Sequence, residues 1–242
     1  MDYDSLLELV KKRRSIRRFK SDPIPDEYID RIIEVARHAP SGFNMQPWEF
    51  VVVKKPELRE KIVEYAKSYW AQSVEMESAR EEWQGRKWKL KGVTDSGMDY
   101  TQAPVFIILF GDTRTQAGLP MGVRYSLRRR DIIYISGLAN AFLYMHLAAT
   151  TLGLATQWVS LVTTPYVHCM LKDLLGIPHE LEAYDMIALG YPAIKPPGKF
   201  LRDPSKMIHY DNCGIEDFRT DDEVRDFVRR ARNWTIGTHR RK

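Results

Sequence analysis

Apolar positions recur along this chain with two different periods, and the change from one to the other marks its elements. Over Ser5–Arg13 the apolar residues Leu6, Leu7, Leu9 and Val10 form a stripe, which predicts a helix that Asp4 or Ser5 can cap. After a break at Pro23 and Pro25, Tyr28, Ile29, Ile32, Ile33 and Ala36 repeat at helical spacing from Asp26 until Pro40 ends the run. Trp48–Val53 is aromatic and β-branched and predicts a strand. Pro56 opens a long helix to about Met76, carried by Leu58, Ile62, Tyr65 and Tyr69. Val105–Phe110 is an unbroken apolar run and predicts a buried strand. Arg130–Leu152 is apolar nearly all round and predicts a helix buried on most sides, with Gly153 as its stop. Leu154–Leu161 and Ala183–Leu189 read as further strands, separated by a helix from Thr164-Pro165 to Gly176. Glu77–Tyr100 is charged and Trp-rich and reads as a surface lid; Gly111–Tyr125 reads as a loop.

Helices and strands mix without strict alternation, which predicts an α+β fold around one sheet. After Pro192 the pattern changes to an extended arm, Lys195-Pro196-Pro197-Gly198, and a short charged helix over Asp221–Arg232. The expected organisation is one domain over 1–210 and a C-terminal extension over 211–242. Small residues at Ser136, Gly137, Ala139 and Ala141 on the most apolar helix predict a dimer interface there.

The 242 residues, 44% hydrophobic and 29% charged, have the composition of an ordinary globular protein. Net charge is +5, and the excess is clustered: seven of the ten residues from Lys11 to Lys20 are basic. Such clustering fits a small anionic ligand at least as well as a duplex, so nucleic acid is not the expected partner. Cys169 and Cys213 are the two cysteines and make neither a disulfide framework nor a zinc site. No signal-like leader opens the chain and Val105–Phe110 is too short to cross a bilayer, so a cytoplasmic protein without a membrane partner is expected.

Four patches carry candidate chemistry. Arg13, Arg14, Ser15 and Arg17 offer guanidinium forks and a hydroxyl suited to phosphate, or simply a solvated basic helix end. Ser41, Asn44 and Gln46 can donate and accept at once, as the polar edge of a flat ring requires, or can serve an ordinary turn. Gln157-Trp158-Val159-Ser160 ends a strand and can border a ring, or be plain core. Lys199 and Arg202 on the arm can add a second cationic grip, or be surface charge. The six histidines show no metal-binding spacing, His146 reads as a satisfied core histidine, and no G-x-S-x-G, Walker or G-x-G-x-x-G motif is present.

In order, the chain carries R-R-S-x-R-x-F from Arg13, A-P-S-G-x-N-x-Q-P-W from Ala39 and A-P-V-F-I-I-L-F-G-D from Ala103. The apolar helix opening at Arg130-Asp131, Gly153-Leu154-Ala155-Thr156-Gln157-Trp158-Val159 and L-G-Y-P before a basic arm follow. Over Leu6–His209 this resembles the FMN-dependent nitroreductase family. The resemblance implies a central, mainly antiparallel sheet flanked by helices, in an intertwined homodimer with a C-terminal arm and FMN at the dimer interface. Arg13, Arg14, Ser15 and Arg17, joined by Arg202, would hold the phosphate and ribityl chain. Pro40, Ser41, Asn44 and Gln46 would approach the flavin from the partner, and Trp158, Val159 and Ser160 would lie beside the ring. No catalytic residue is assigned, because the flavin carries the chemistry.

The implied activity is transfer of a hydride from NAD(P)H through FMN to a small electron-poor acceptor such as a nitroaromatic or quinone. Branches of the same superfamily dehalogenate reductively or break down flavin with oxygen, and both stay open as alternatives. So does a non-enzymatic module binding flavin or nucleic acid. The dehalogenating branch grips its substrate with a lid Glu, Tyr and Lys. Here no tyrosine lies between Trp70 and Asp99, and the lysine's expected position falls near Gly97.

Overall fold

The strand Val105–Asp112 is buried along almost its whole length, so both of its faces need cover. In the computed structural model, which describes residues 2–79, 99–196, 198–214, 216 and 218–239, that cover is two helical layers. We label the strands β1 (Trp48–Val53), β2 (Val105–Asp112), β3 (Ala155–Val159) and β4 (Leu181–Gly190). They form an antiparallel sheet in the order β1-β2-β4-β3, with Trp48 opposite Gly111, Val105 opposite Leu189 and Thr156 opposite Leu189. Helices in chain order are α1 (Tyr3–Lys12), α2 (Asp26–Arg37), α3 (Pro56–Ser78), α4 (Met121–Arg124), α5 (Leu127–Thr151), α6 (Pro165–Leu175) and α7 (Asp221–His239). The α+β architecture expected from the sequence is thus present.

The period of two along β2 and β4 sends alternate side chains to two cores. Phe106, Ile108, Phe110, Met186 and Ala188 pack under α3, through Ile62, Val63 and Ala66, and under Leu171 of α6. Ile107, Leu109, Ile187 and Leu189 pack under α2, through Ile29, Ile32 and Ala36, and under Leu138, Ala141, Phe142 and Met145 of α5. Between β2 and β4 the register slips: Leu109 faces Asp185 but Phe110 faces Ala183, leaving Tyr184 as the extra residue of a bulge.

Several local expectations are corrected. Asp2 caps α1, accepting from the Ser5 N–H at 2.8 Å, where Asp4 or Ser5 was expected. Asp2 is one turn ahead of the stripe and its carboxylate reaches the orphan amides first. The helix of Arg130–Leu152 begins earlier, at Leu127, and is buried on one side only: Ile132, Ile135 and Leu143 are exposed. Gly137 and Ala141, read from sequence as dimer-facing, turn into the chain's own core. A Cβ on Gly137 would meet the Ser41 Cβ at 3.2 Å, and Ala141 is fully buried. Among the described residues, α5 is the helix long and apolar enough to cross a membrane by length and composition. The expected lid over Glu77–Tyr100 lies mostly outside the described residues.

The chain divides into two compact units, Met1–Lys195 and Pro196–Lys242. In the second, Asp203 caps a turn at Pro204–Lys206, and Phe200 stacks on Phe227 of α7 with ring centroids 5.6 Å apart. This last helix continues past the expected Arg232 to His239, since no proline intervenes.

At Gly111 of β2, side chains of α5 lie hard against the sheet. A Cβ there would collide with the Tyr134 hydroxyl and come within 2.7 Å of Leu138 Cδ1. Gly111→Ala is therefore expected to destabilise by about 1–3 kcal/mol through overpacking, a lowering of several degrees in a thermal melt. An unchanged melting temperature would contradict this packing.

Candidate functional site

Helix α1 stops because Arg13 leaves helical geometry, although its N–H still bonds Leu9 O at 3.0 Å. The chain beyond it runs extended along the free edge of β3. The Ile16 N–H donates to Thr156 O at 2.9 Å, and Ser15 bridges Thr156 in parallel. Further on, the Lys20 N–H donates to Tyr191 O at 2.9 Å and the Ala193 N–H to Arg18 O at 3.0 Å. Ile16 and Phe19 point into the core, so Ser15 and Arg18 are left outside and Arg17 half-buried. The basic segment is stitched across the ends of β3 and β4.

Arg13 and Arg14 are both half-buried. Burial pushes the Arg13 guanidinium below its ordinary range, and among the described residues no carboxylate offsets it. Burial also lowers Arg14, together with the like charge of Arg13. Two adjacent guanidiniums, partly stripped of water and repelling each other, form a place where an anion gains both charge and hydrogen bonds.

Beside them lies a polar cluster that sequence reasoning did not assemble. His146 of α5 is almost fully buried, with Nδ1 2.7 Å from the Thr156 hydroxyl and Nε2 without a partner among the described residues. It is therefore half-satisfied, not the satisfied core histidine expected. Burial, then the charge of Arg13, lowers its pKa to about 3, so the imidazole is neutral. Its ring stacks at 5.8 Å on the half-exposed Trp158, whose indole N–H donates to Asp185 Oδ2 at 2.6 Å. Burial raises the Asp185 carboxyl to about 6, against the lowering effect of the Trp158 bond. A usable signal was present: Asp185 is the lone charged residue in the apolar run Ala183–Leu189. Val159 turns its side chain into the core on the other face of the sheet, and Ser160, at the start of a 3-10 turn, is exposed.

The turn after α2 is a separate assembly. Phe43, Asn44 and Gln46 adopt φ of 54°, 54° and 45°. Left-handed backbone costs non-glycine residues about 1–2 kcal/mol each, so the turn is strained. It is pinned by the Gln46 N–H donating to Ser41 Oγ at 3.0 Å and Asn140 Nδ2 donating to Pro40 O at 3.0 Å. Asn44 and Gln46 are exposed, as is the Phe43 ring. The turn rests on Ile133 and Gly137 of α5, whereas Arg13 lies by His146. Gly137 and His146 are roughly 13 Å apart along the helix axis. One chain therefore brings Arg13, Arg14, Ser15 and Trp158 together but keeps Pro40, Ser41, Asn44 and Gln46 apart from them. Arg202 belongs to the second unit, where its guanidinium donates to Lys206 O at 2.7 Å.

Residues 10–191, from the basic segment to the end of β4, match the nitroreductase family. The chain belongs to that family. Over 202 residues it is 28% identical to a Methanothermobacter thermautotrophicus protein named NADH dehydrogenase/NAD(P)H nitroreductase, covering 84% of this chain and 85% of the relative. It is 33% identical over 192 residues to rat iodotyrosine deiodinase 1, covering 77% of this chain but 61% of the deiodinase. The fold matches a BluB-like flavoprotein from Clostridium difficile 630 with a TM-score of 0.67 at 24% identity, over 88% of this chain and all of the other. Membership places this nitroreductase-family chain among the oxidoreductases, and flavoproteins are among its structural neighbours.

The buried pair makes a testable pH signature. Asp185, raised from 3.8 to about 6, destabilises the fold increasingly as pH rises through that window. His146, lowered from 6.5 to about 3, withdraws stability as pH falls through its own. Between about pH 4 and 6 the two slopes oppose one another. Asp185→Asn should be more stable than wild type at pH 8 by about 1–3 kcal/mol. Below pH 6 it should lose stability more steeply, at about 1.4 kcal/mol per pH unit. Urea unfolding at several pH values would measure both; parallel pH profiles for the two proteins would refute the assignment.

Proposed function

We propose that this chain is an FMN-dependent oxidoreductase working as a homodimer. In this reading it takes reducing equivalents from NAD(P)H and passes them to a small electron-poor acceptor such as a nitroaromatic or quinone. The observation that carries the reading is Arg13: a half-buried cation, next to a second one, with no carboxylate among the described residues to neutralise it. A phosphate monoester supplies the missing charge. Arg13, Arg14, Ser15 and Arg17 would hold the phosphate and ribityl chain. Trp158, Ser160 and the backbone of Val159 would border the ring. Pro40, Ser41, Asn44 and Gln46 would come from the second copy, in keeping with their distance from Arg13 within one chain.

Bound FMN would supply reversible two-electron transfer, so this chain needs no side-chain nucleophile. Its own tasks are to neutralise the phosphate, border the ring and keep His146 uncharged. His146, held neutral beside Arg13, adds no further positive charge to the grip. The exposed apolar side of α5, with Ile132, Ile135 and Leu143, supports the homodimer, because such a face gains by excluding water.

A second reading is reductive dehalogenation of a small halogenated aromatic. It is favoured by the iodotyrosine deiodinases, which match at 33% identity in rat and 34% in Drosophila melanogaster. Anaerobic reoxidation of the reduced protein by a nitroaromatic, a quinone and an iodophenol, each with product analysis, separates the two.

Purified protein is expected to bind FMN and to bleach on anaerobic addition of NADH or NADPH; protein that ignores FMN would refute the reading. Arg13→Ala should weaken FMN binding roughly ten- to hundredfold, the worth of one charged hydrogen bond, as read by flavin fluorescence. Ile135→Glu with Leu143→Glu should convert a dimer to a monomer in light scattering. An unaltered mass would remove α5 from the interface.

A further inference from the structure

Asp185 is an unusual residue for its place. It is the one charged side chain between Ala183 and Gly190, it is 7% exposed, and it follows the extra residue of the β4 bulge. Its Oδ2 takes the Trp158 indole N–H at 2.6 Å, while Oδ1 is buried without a partner among the described residues. The indole itself is 46% exposed. It lies tilted against Phe142 at 4.6 Å and stacked on His146 at 5.8 Å. His146 in turn meets the Thr156 hydroxyl, and Thr156 O holds the Ile16 N–H next to Ser15. One continuous series of contacts therefore runs from the bulge to the basic segment: carboxylate, indole, imidazole, threonine, strand edge.

A half-exposed indole has several rotamers open to it. Packing against Phe142 and His146 limits its tilt, but the single bond to Asp185 fixes which edge turns inward. Leucine would fill the same core volume without a buried charge, and asparagine would accept the same bond. An ionised carboxylate does two things that neither can do: it holds the N–H more strongly, and it responds to protons.

We propose that Asp185 is a positioning residue: its ionised carboxylate locks the Trp158 indole, and protonation loosens that wall and the Arg13–Ser15 segment behind it. The role at the cofactor rests on the FMN reading given above; the lock itself does not. The titratable groups around the carboxylate are few. Tyr184, on its own strand, is held protonated by burial and by the Asp185 charge. His146 of α5, across the indole, is kept neutral by burial and Arg13. Strand β2 presents Leu109 opposite, and α5 presents Phe142. Burial and the Trp158 bond are the two causes acting on Asp185, which places its change of charge near pH 6.

The test uses the full-length protein labelled with nitrogen-15 and free of added FMN. The Trp158 indole N–H resonance is assigned by its loss in Trp158→Phe and followed from pH 8 to pH 5. It is expected to titrate in one step in wild type and to stay still in Asp185→Asn. FMN affinity is then measured by fluorescence quenching. At pH 8, Asp185→Asn should bind within about threefold of wild type and Asp185→Leu about tenfold more weakly. Wild type should weaken on going to pH 5 more than Asp185→Asn does. A Trp158 resonance that does not move, or Asp185→Leu binding FMN as tightly as wild type, would overturn the proposal. A resonance that titrates in protein that never takes up FMN would overturn the cofactor reading alone and leave the lock in place.

Discussion

The arrangement depends on one backbone contact, the Ile16 N–H bonding to Thr156 O along the free edge of β3. In the order β1-β2-β4-β3, that strand ends the sheet and would otherwise present open amides and carbonyls. Laying the N-terminal segment there closes the edge. The same act places consecutive guanidiniums where they are half-buried, and among the described residues no carboxylate offsets the burial of Arg13. Edge protection and anion attraction thus come from one piece of chain, and neither can be altered without the other.

Helix α5 organises everything around that contact. Its inner side carries Leu138, Ala141, Phe142 and Met145 into the second core, and Gly111 admits Tyr134 close to the sheet. Its first half braces the strained turn at Phe43–Gln46, and its second half presents His146 to Thr156. Its outer side keeps Ile132, Ile135 and Leu143 in water within a single chain. A helix that does three things has no polar face left to show, which is why its hydrophobic pattern is nearly uniform.

The elements were largely legible because their signals are local. Pro25, Pro40, Pro56 and Gly176 punctuate the chain where elements begin or end, and the uninterrupted Val105–Phe110 run could only be a central strand. Direction was harder. Nearly uniform apolarity in α5 does not say which side faces inward, so Gly137 and Ala141 were read as outward when the turn at Ser41 and the sheet cover them. Arg13, Arg14 and Ser15 were picked out by composition, and the sheet edge gives that composition its meaning. The cluster of His146, Thr156, Trp158 and Asp185 was not assembled, because its members come from a helix and two strands far apart in sequence. Asp185 could have been flagged as a charge in a buried strand; nothing local names Trp158 as its partner.

The pairing of Ser15 with Thr156 also has a consequence in time. The segment made first waits for a strand that emerges from synthesis much later, and long-range closures of this kind are slow to form. Until then the basic stretch lacks its strand partner. A ligand held by it recognises finished molecules alone, and by mass action shifts the population toward them. Supply of such a ligand would thereby favour the folded population.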